Sequence, residues 1–359
     1  MAEAGLDVEV DAGGNLLGRR AGTDPRLPSI MLGSHTDTVT GGGRFDGIAG
    51  VLAAVEVARC LPPARLRHTL EVVDFLAEEP TDFGISTVGS RSLAGALSVD
   101  MLALESEGRT LAEAIASVGG RHEAIRRRDD IGLYLELHIE QGPVLENEGL
   151  HLGVVTAITG IARCHVRVTG RADHAGTMPM AQRHDALAAA AEMVLALEHL
   201  WQDGAGVGTV GRLGVSPNAT NVVPGAVELW AEMRSVNAQV LRQRLATFVE
   251  TAQGIADRRR QTVTVTTLSD EAPVPIADHV QAVLADVVAS LGHEPRRLPS
   301  YAGHDGNQIA KIVPIGMLFI PSRAGRSHCP EEWTDLADVA LGAQALGEAV
   351  LKFDAALSS

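Results

Sequence analysis

The chain has 359 residues, of which 45% are hydrophobic and 21% are charged. That composition is ordinary for a globular protein, and the length suits two domains of about 150 residues each. The formal net charge of −15 gives a surface that repels phosphate backbones, so we expect no nucleic-acid partner.

The cysteines and the start of the chain bear on location. Cys60, Cys164 and Cys329 form neither a CxxC pair nor an even set of the kind that builds a disulfide framework. We therefore expect a reducing compartment, the cytoplasm. The sequence predicts no signal peptide and no membrane-spanning apolar run, so we expect no membrane partner.

The first and last parts of the chain alternate strand-like with helix-like segments. Strands that alternate with helices favour an α/β fold whose mostly parallel sheet lies between helices. The apolar periodicity predicts strands over 30–32, 70–76, 133–139 and 315–320, and helices over 48–60, 276–291 and 335–355.

The middle of the chain has a different texture, with longer alternating segments. It predicts strands over 162–169, 207–215, 226–234 and 263–268, and helices over 186–200 and 238–258. Such antiparallel strands with two helices indicate a smaller α+β domain. We therefore predict a catalytic domain of residues 1–159 and 276–359, interrupted by an inserted domain of residues 160–275.

The first polar cluster follows the strand predicted over 30–32. His35 comes just past the strand end, where α/β proteins place their sites, and imidazole is a good ligand for zinc or manganese. Asp37 is spaced to orient that imidazole. The glycines at 41–43 let the backbone turn and bring Asp46 to the same place. The alternative is a glycine-rich loop with a surface histidine and turn-forming aspartates.

Two adjacent carboxylates, Glu78 and Glu79, follow the strand predicted over 70–76. One of them can ligate a metal while its neighbour acts as a general base. The start of a solvated loop is the simpler alternative for this pair taken alone.

Several further histidines stand out. His174, His304 and His328 lie beside glycine or in Gly/Ser loops, where binding and catalytic residues concentrate. His138 lies on an alternating apolar strand, where a histidine is more often a core residue than a ligand. A glycine turn after Gln141 places His138 at the strand's end, so a ligand role stays open.

Taken together, these motifs resemble one family. The segments GSHTDTV, GGRFDG, the Glu78-Glu79 pair, ELHIEQGPVLE, ADHAGTMPM, NATNVVPG, AGHDG and SHCPEEW follow in the right order over essentially the whole chain. The sequence is similar to the hydantoinase/carbamoylase amidases, which include N-carbamoyl-L-amino-acid hydrolases and allantoate amidohydrolases, within the dinuclear aminoacylase and carboxypeptidase group of metallopeptidases. The HIEQGP segment argues against the carboxypeptidase branch, which has a carboxylate in place of His138.

The resemblance implies a site for two divalent metal ions per subunit, zinc or manganese, with cobalt or nickel as alternatives. Asp46 would bridge the two ions. His35 and His138 would complete the protein ligands of one ion, and Glu79 and His328 those of the other.

The resemblance also implies catalytic and substrate-binding residues. Glu78 would act as the general base, and Asp37 would support His35. The inserted domain would serve as a lid and would form a homodimer, in which His174 stabilises the oxyanion in the partner subunit's site. The residues that would bind substrate are Gln141, Asn221, Arg234 and His304. The asparagine and the arginine would hold the substrate carboxylate, which suits the bidentate fork of an arginine.

The chain departs from the family pattern at two places. Residues 80–82 read Pro-Thr-Asp where the family often has Gly-Ser/Ala-Arg. Because this loop borders the expected site, it bears on substrate preference. Residues 1–6 resemble the end of a helix that family members begin earlier, so we expect the N-terminal helices that flank the sheet to be absent, through a misassigned start codon or a truly short protein.

We expect hydrolysis of an N-carbamoyl-L-amino acid to the amino acid, CO₂ and ammonia, the substrate being a small ureido or carbamoyl compound with a carboxylate. Allantoate amidohydrolase is the close alternative, since the same metals and Arg234 serve both reactions. A peptidase or aminoacylase is a third reading, against which His138 argues. A catalytically inactive metal-binding dimer is a different class, against which the retained Glu78 argues.

Overall fold

A computed structural model describes residues 1–62 and 65–356. The chain forms two compact units. The first comprises Met1–Ile158 with the described residues from Pro275 onward, and the second is Thr159–Val274. None of the helices within those residues combines the length and apolar content that a bilayer span requires.

The first unit holds most of the shorter elements. Its strands are β1 (Asp7–Val10), β2 (Leu16–Arg20), β3 (Ser29–His35), β4 (Leu70–Phe75), β5 (Glu105–Ser106), β6 (Arg109–Thr110), β7 (Ile131–Ile139), β8 (Gly153–Ile158), β16 (Arg296–Ser300) and β17 (Ile315–Ile320), with β15 (Val274–Pro275) at the boundary. Its helices are α1 (Ile48–Cys60), α2 (Val88–Leu93), α3 (Val99–Leu102), α4 (Leu111–Ser117), α5 (Val144–Glu148), α8 (Asp278–Ser290), α9 (Gly306–Ile309) and α10 (Leu336–Ala356).

The large sheet of the first unit runs in the order β1-β2-β4-β3-β7-β17-β8, and β16 also pairs with β8. The four strands β4, β3, β7 and β17 are mutually parallel. Strands β2 and β8 join them antiparallel. Every residue of β3 is buried, as expected for a central strand covered on both faces. The predicted α/β fold with a mostly parallel, mixed sheet is confirmed.

This topology creates a common edge for the site. Parallel strands end on the same side of a sheet, so the residues after β3, β4, β7 and β17 converge there. Helix α1 begins at this edge and packs closely on the sheet, because a Cβ at Gly50 would lie only 2.3 Å from the carbonyl oxygen of Leu137.

The second unit is an antiparallel sheet with two helices. Its main sheet has the order β11 (Val207–Ser216), β13 (Ala226–Ser235), β9 (Gly160–Thr169) and β14 (Thr262–Glu271). Helices α6 (Ala186–Leu200) and α7 (Ala238–Arg258) bury their apolar residues with those of the strands in one core. Strands β10 (Asp173–His174) and β12 (Val222–Val223) form a separate short ladder.

Candidate active site

Two groups of potential metal ligands share Asp46. The inner ligand group is His35, Asp46 and His138, and all three residues are buried. His35 is the last residue of β3, and His138 lies next to the end of β7. Oδ1 of Asp46 lies 3.1 Å from Nε2 of His138 and 3.7 Å from Nε2 of His35.

The outer ligand group is Asp46, Glu79 and His328. Nε2 of His328 lies 3.1 Å from Oδ2 of Asp46 and 3.3 Å from Oε1 of Glu79. The side chain of His328 is 49% exposed, whereas that of Asp46 is 3% exposed. The two oxygens of Asp46 therefore face different histidines, as a carboxylate that bridges two cations must.

Glu78 lies beside the inner ligand group in a nearly closed environment. Its Oε2 is 3.9 Å from Nε2 of His35. Burial raises the pKa of Glu78 well above its usual value, although the charge of His35 pulls it down. A carboxyl group with a raised pKa is a better proton acceptor, as a general base requires.

Asp37 orders this corner in a way that the sequence did not indicate. Nδ1 of His35 bonds to the backbone carbonyl of Asp37 at 2.9 Å, and the carboxylate of Asp37 is farther away, at 3.6 Å. That carboxylate instead accepts the backbone N–H groups of Glu78 and Glu79, both at 3.1 Å. One residue thus positions three others, by its carbonyl and by its carboxylate.

Residues around Asp46 include one predicted and two unpredicted partners. Nε2 of Gln141, predicted to line the substrate site, donates to Oδ2 of Asp46 at 2.8 Å. Ser327 Oγ lies 3.1 Å from the same oxygen and donates to Oε2 of Glu332 at 2.6 Å. Sequence reasoning missed Ser327 and Glu332, although both lie within the SHCPEEW segment beside His328.

His304, also predicted to line the substrate site, is buried behind the inner ligand group. Its ring packs edge-on against that of His138, with centroids 4.6 Å apart, and its Nε2 lies 2.7 Å from Oγ of Ser300. Glu136 is buried nearby and accepts the hydroxyl of Ser34 at 2.7 Å. The structure therefore adds a polar layer beneath the ligands.

The 80–82 loop that departs from the family pattern folds into a closed turn. The backbone N–H and the hydroxyl of Thr81 both donate to the carbonyl oxygen of Ile85, at 3.0 and 2.7 Å, and the backbone N–H of Thr87 donates to the carbonyl oxygen of Glu78 at 2.8 Å. Ala77, just before Glu78, has a φ of 50°. The loop therefore leaves the carboxylate pair in a fixed backbone conformation.

In the second unit, His174 and Asn221 lie together. The ladder of β10 and β12 pairs His174 with Val222, and the N–H of Ala175 donates to the carbonyl oxygen of Asn221 at 3.0 Å. Nδ1 of His174 accepts the backbone N–H groups of Gly176 and Thr177, at 3.0 and 3.2 Å. In the neutral ring the proton must then be on Nε2, which makes that atom a hydrogen-bond donor.

Arg234 lies at the other end of the same unit. The loop that carries Asn221 closes at Ala226, where β13 begins, whereas Arg234 pairs with Ile161 near the far end of that strand. The strand between Ala226 and Arg234 spans about 26 Å at about 3.3 Å per residue. Within one copy of this unit, Asn221 and Arg234 therefore lie toward opposite ends of β13.

Comparison with known proteins identifies the family of the chain. The model of Peptidase family M20/M25/M40 matches residues 31–352. The chain belongs to this family.

Two curated relatives and one solved structure show which enzymes the chain is similar to. The N-carbamoyl-L-amino acid amidohydrolase of Geobacillus stearothermophilus is 42% identical over 354 residues, covering 96% of this chain and 87% of that protein. The allantoate amidohydrolase of Bacillus subtilis is 34% identical over 362 residues, covering 98% and 87%. A solved hydantoinase/carbamoylase family amidase from Burkholderia multivorans has a TM-score of 0.90 at 33% identity, covering 98% and 87%.

These comparisons confirm the resemblance to the hydantoinase/carbamoylase amidases. The chain is an amidohydrolase, acting on C–N bonds other than peptide bonds. The M20 family is metal-dependent, so the two ligand groups can be tested for their fit to divalent ions.

The donor atoms fit such ions. The Nδ1 atoms of His35 and His138 both bond to backbone carbonyls, at 2.9 and 2.8 Å, so in the neutral rings the Nε2 lone pairs face Asp46. This is the tautomer that ligates a metal. Oε1 of Glu79 is buried and accepts no hydrogen bond from the described part of the chain, although Nε2 of His328 lies 3.3 Å away, as suits a carboxylate oxygen reserved for a cation.

Electrostatics supports the same reading. Burial opposes a charge on His35, yet the surrounding carboxylates, including Asp37 and Glu78, raise its pKa well above the usual value. Burial likewise would raise the pKa of Asp46, but hydrogen bonds from His138 and His328 outweigh it and hold the pKa far below its usual range. The negative charge that favours a proton on His35 would equally favour a divalent cation.

Proposed function

We propose that this amidohydrolase cleaves the carbamoyl C–N bond of N-carbamoyl-L-amino acids, giving the amino acid, CO₂ and ammonia. The observation that carries the proposal is the pair of ligand groups joined by Asp46, with Glu78 beside them. The 42% identity to an N-carbamoyl-L-amino acid amidohydrolase supports the choice of substrate class.

The proposed roles follow from the chemistry of a ureido carbonyl, which is a poor electrophile. Two divalent ions, zinc or manganese, would polarise that carbonyl and lower the pKa of water when bound by the inner and outer ligand groups. Glu78 takes a proton from the attacking water and passes it to the leaving nitrogen. Nε2–H of His174 donates to the oxyanion, and Arg234 binds the substrate carboxylate through its planar guanidinium group.

We further propose that the protein acts as a homodimer with composite sites. His174 and Asn221 share one end of the second unit, and Arg234 lies at the other end. A substrate that needs both ends must therefore meet two copies of the chain. Arg234 would come from one subunit, and His174 with Asn221 from its partner. A cytoplasmic location is part of the same proposal and rests on the sparse cysteines.

Allantoate is the second candidate substrate. It also carries a ureido carbonyl next to a carboxylate, and the 34% identity to an allantoate amidohydrolase supports it. An inactive metal-binding dimer is the alternative of a different class. The buried position of Glu78 against His35 disfavours it, because a scaffold has no use for a buried base.

Ammonia release by the Mn²⁺-reconstituted protein tests the proposal, with N-carbamoyl-L-methionine and allantoate offered in parallel. We expect ammonia release from the carbamoyl amino acid. The Glu78→Gln variant serves as the control and should release none. Release from allantoate alone would move the assignment to the second candidate. No release from either substrate, with two metals bound, would favour the inactive dimer.

A further inference from the structure

Glu332 is buried beside the inner and outer ligand groups, yet none of the three groups of potential metal ligands found among the described residues includes it. Both oxygens of its carboxylate accept hydrogen bonds from within the chain. Oε1 accepts the backbone N–H groups of Phe45 and Asp46, at 2.9 and 3.0 Å. Oε2 accepts the hydroxyl of Ser327 at 2.6 Å. The carboxylate therefore joins two loops that are 286 residues apart in sequence.

The chain is shaped to admit this carboxylate. A Cβ at Gly43 would lie 2.1 Å from Oε1 of Glu332, so only glycine leaves the space that the contact needs. The neighbouring Trp333 packs edge-on against Phe45, with ring centroids 5.4 Å apart. Two consecutive residues of one loop thus hold the other loop, one by hydrogen bonds and one by ring packing.

Both ends of the contact adjoin metal ligands. One end is the backbone of Asp46, which both ligand groups share, and the other is Ser327, which precedes His328. The Ser327 hydroxyl has a single proton, and its oxygen lies closer to Oε2 of Glu332, at 2.6 Å, than to Oδ2 of Asp46, at 3.1 Å.

His328 needs such support. Its φ of 56° lies in the left-handed region, which few non-glycine residues occupy unless neighbouring contacts hold them there. Its side chain is also 49% exposed, so packing constrains it less than it constrains the buried histidines of the inner ligand group. The neighbouring Ser327 links it to the loop of Asp46 in two ways, through Oε2 of Glu332 at 2.6 Å and, more distantly, through Oδ2 of Asp46 at 3.1 Å.

We propose that Glu332 is a positioning residue that fixes His328 relative to Asp46 and so sets the affinity of the outer ligand group for its metal ion. The inference rests on the proposed dinuclear site. Outer-shell partners of metal ligands commonly change metal affinity by about 10–100-fold when they are removed.

Glu332→Gln separates the two halves of this contact. The amide oxygen can still accept the N–H groups of Phe45 and Asp46, whereas the amide nitrogen cannot accept the hydroxyl of Ser327. Ser327→Ala removes the same hydrogen bond from the other side. The matched control is Glu331→Gln, because the side chain of Glu331 is 62% exposed and forms an ion pair with Arg326.

The experiment is a Zn²⁺ titration of the metal-free proteins against a chelator of known affinity, with His328→Ala marking the outer ion. We expect the parent and Glu331→Gln each to bind two ions, and each ion to have the same affinity in the variant as in the parent. In Glu332→Gln the outer ion should bind about 10-fold or more weakly and the inner ion unchanged. Ser327→Ala should match it, and the double variant should be no weaker than either single one.

Other outcomes overturn the inference. Parent-like binding of both ions by Glu332→Gln would exclude a positioning role. Equal weakening of both ions, together with a lower melting temperature of the metal-free protein, would show a general structural role instead. A parent that binds fewer than two ions would refute the dinuclear site itself, and this inference with it.

Discussion

The carboxylate of Asp37 accepts the backbone N–H of Glu78 at 3.1 Å, so the candidate general base is held by the residue two positions beyond the ligand His35. Burial opposes the charge on Asp37, but the nearby charge of His35 and the backbone N–H groups of Glu78 and Glu79 outweigh it and lower the pKa of Asp37 below its usual value. The group is therefore an anionic acceptor at neutral pH, directed at the loop of the carboxylate pair.

Replacing Asp37 should reduce activity more than stability. Asp37→Asn keeps one acceptor oxygen but turns the other into a donor, which faces the N–H of Glu78 or Glu79. We expect kcat to fall about 10–100-fold, the usual cost of losing an outer-shell partner. Asp82→Asn, an exposed position on the next loop, is the matched control. Equal kcat values for the two variants would contradict the role of Asp37.

Glu78→Gln should abolish turnover without releasing metal. The amide keeps the shape of the side chain but cannot accept a proton, and general-base catalysis is worth about 10²–10⁴-fold. Metal content by elemental analysis and kcat with the preferred substrate are the two measurements. Loss of bound metal in Glu78→Gln would show that this residue is a ligand rather than a base.

The stability of the metal-free protein should depend on Asp305. Burial raises the pKa of this carboxyl from 3.8 to about 8, so the folded state holds a proton that the unfolded chain releases. Because the pKa of Asp305 is raised on folding, the contribution of this proton to the free energy of unfolding is fully present below pH 3.8 and is lost as pH rises toward about 8.

Asp305→Asn should therefore become more stable relative to the parent as pH rises from about 4 to 8, by up to about 1.4 kcal/mol per pH unit. Denaturant unfolding at several pH values measures this gap. A gap that stays constant across the range would contradict the prediction. The asparagine cannot ionise, so it separates the titration of this side chain from its packing.

The long periodic elements were predictable from the sequence. Helices over 48–60, 186–200 and 238–258 and the strand over 315–320 have the bounds that the structure shows, since each carries a sustained apolar pattern. The strand over 70–76 ends one residue earlier, at Phe75, because the chain turns at Ala77. Strand β1 was missed because it has only four residues, all exposed, so its short alternation of polar and apolar residues marks no buried face.

The candidate site was predictable where motifs mark it, and the structure brings His35, Asp46, Glu79, His138 and His328 together. Contacts between distant segments left no local signal. Glu332 meets Asp46 across 286 residues, and neither residue's neighbours indicate the other. The separation of Asn221 from Arg234 is visible only in the strand register. Asn221 precedes β13 and Arg234 lies near its end, so the two residues are close in sequence but far apart along the strand.

The two ions should leave at different rates. The outer ligand group includes His328, whose side chain is 49% exposed, whereas His138 of the inner ligand group is 1% exposed. A chelator should therefore remove the outer ion first, and activity should be lost with that first phase. Stopped-flow absorbance of the metal–chelator complex follows both phases. His328→Ala should lack the fast phase, and a single phase of two ions in the parent would contradict the asymmetry.

Subunit complementation tests the composite site. Arg234→Ala and His174→Ala should each be nearly inactive, because each removes one substrate contact from every site. After unfolding and refolding together, about half of the dimers should be mixed, and one of the two sites in each should regain both native residues. Activity should then recover to about a quarter of the parent's, as random assembly of a two-fold dimer requires. If one chain supplied both residues, each mixed site would keep one defect, and mixing would restore nothing. Arg234→Ala mixed with an Asn221→Ala variant should likewise recover about a quarter of the parent's activity. His174→Ala mixed with Asn221→Ala should recover none, because those two residues share one end of the unit and one subunit would supply both to each site.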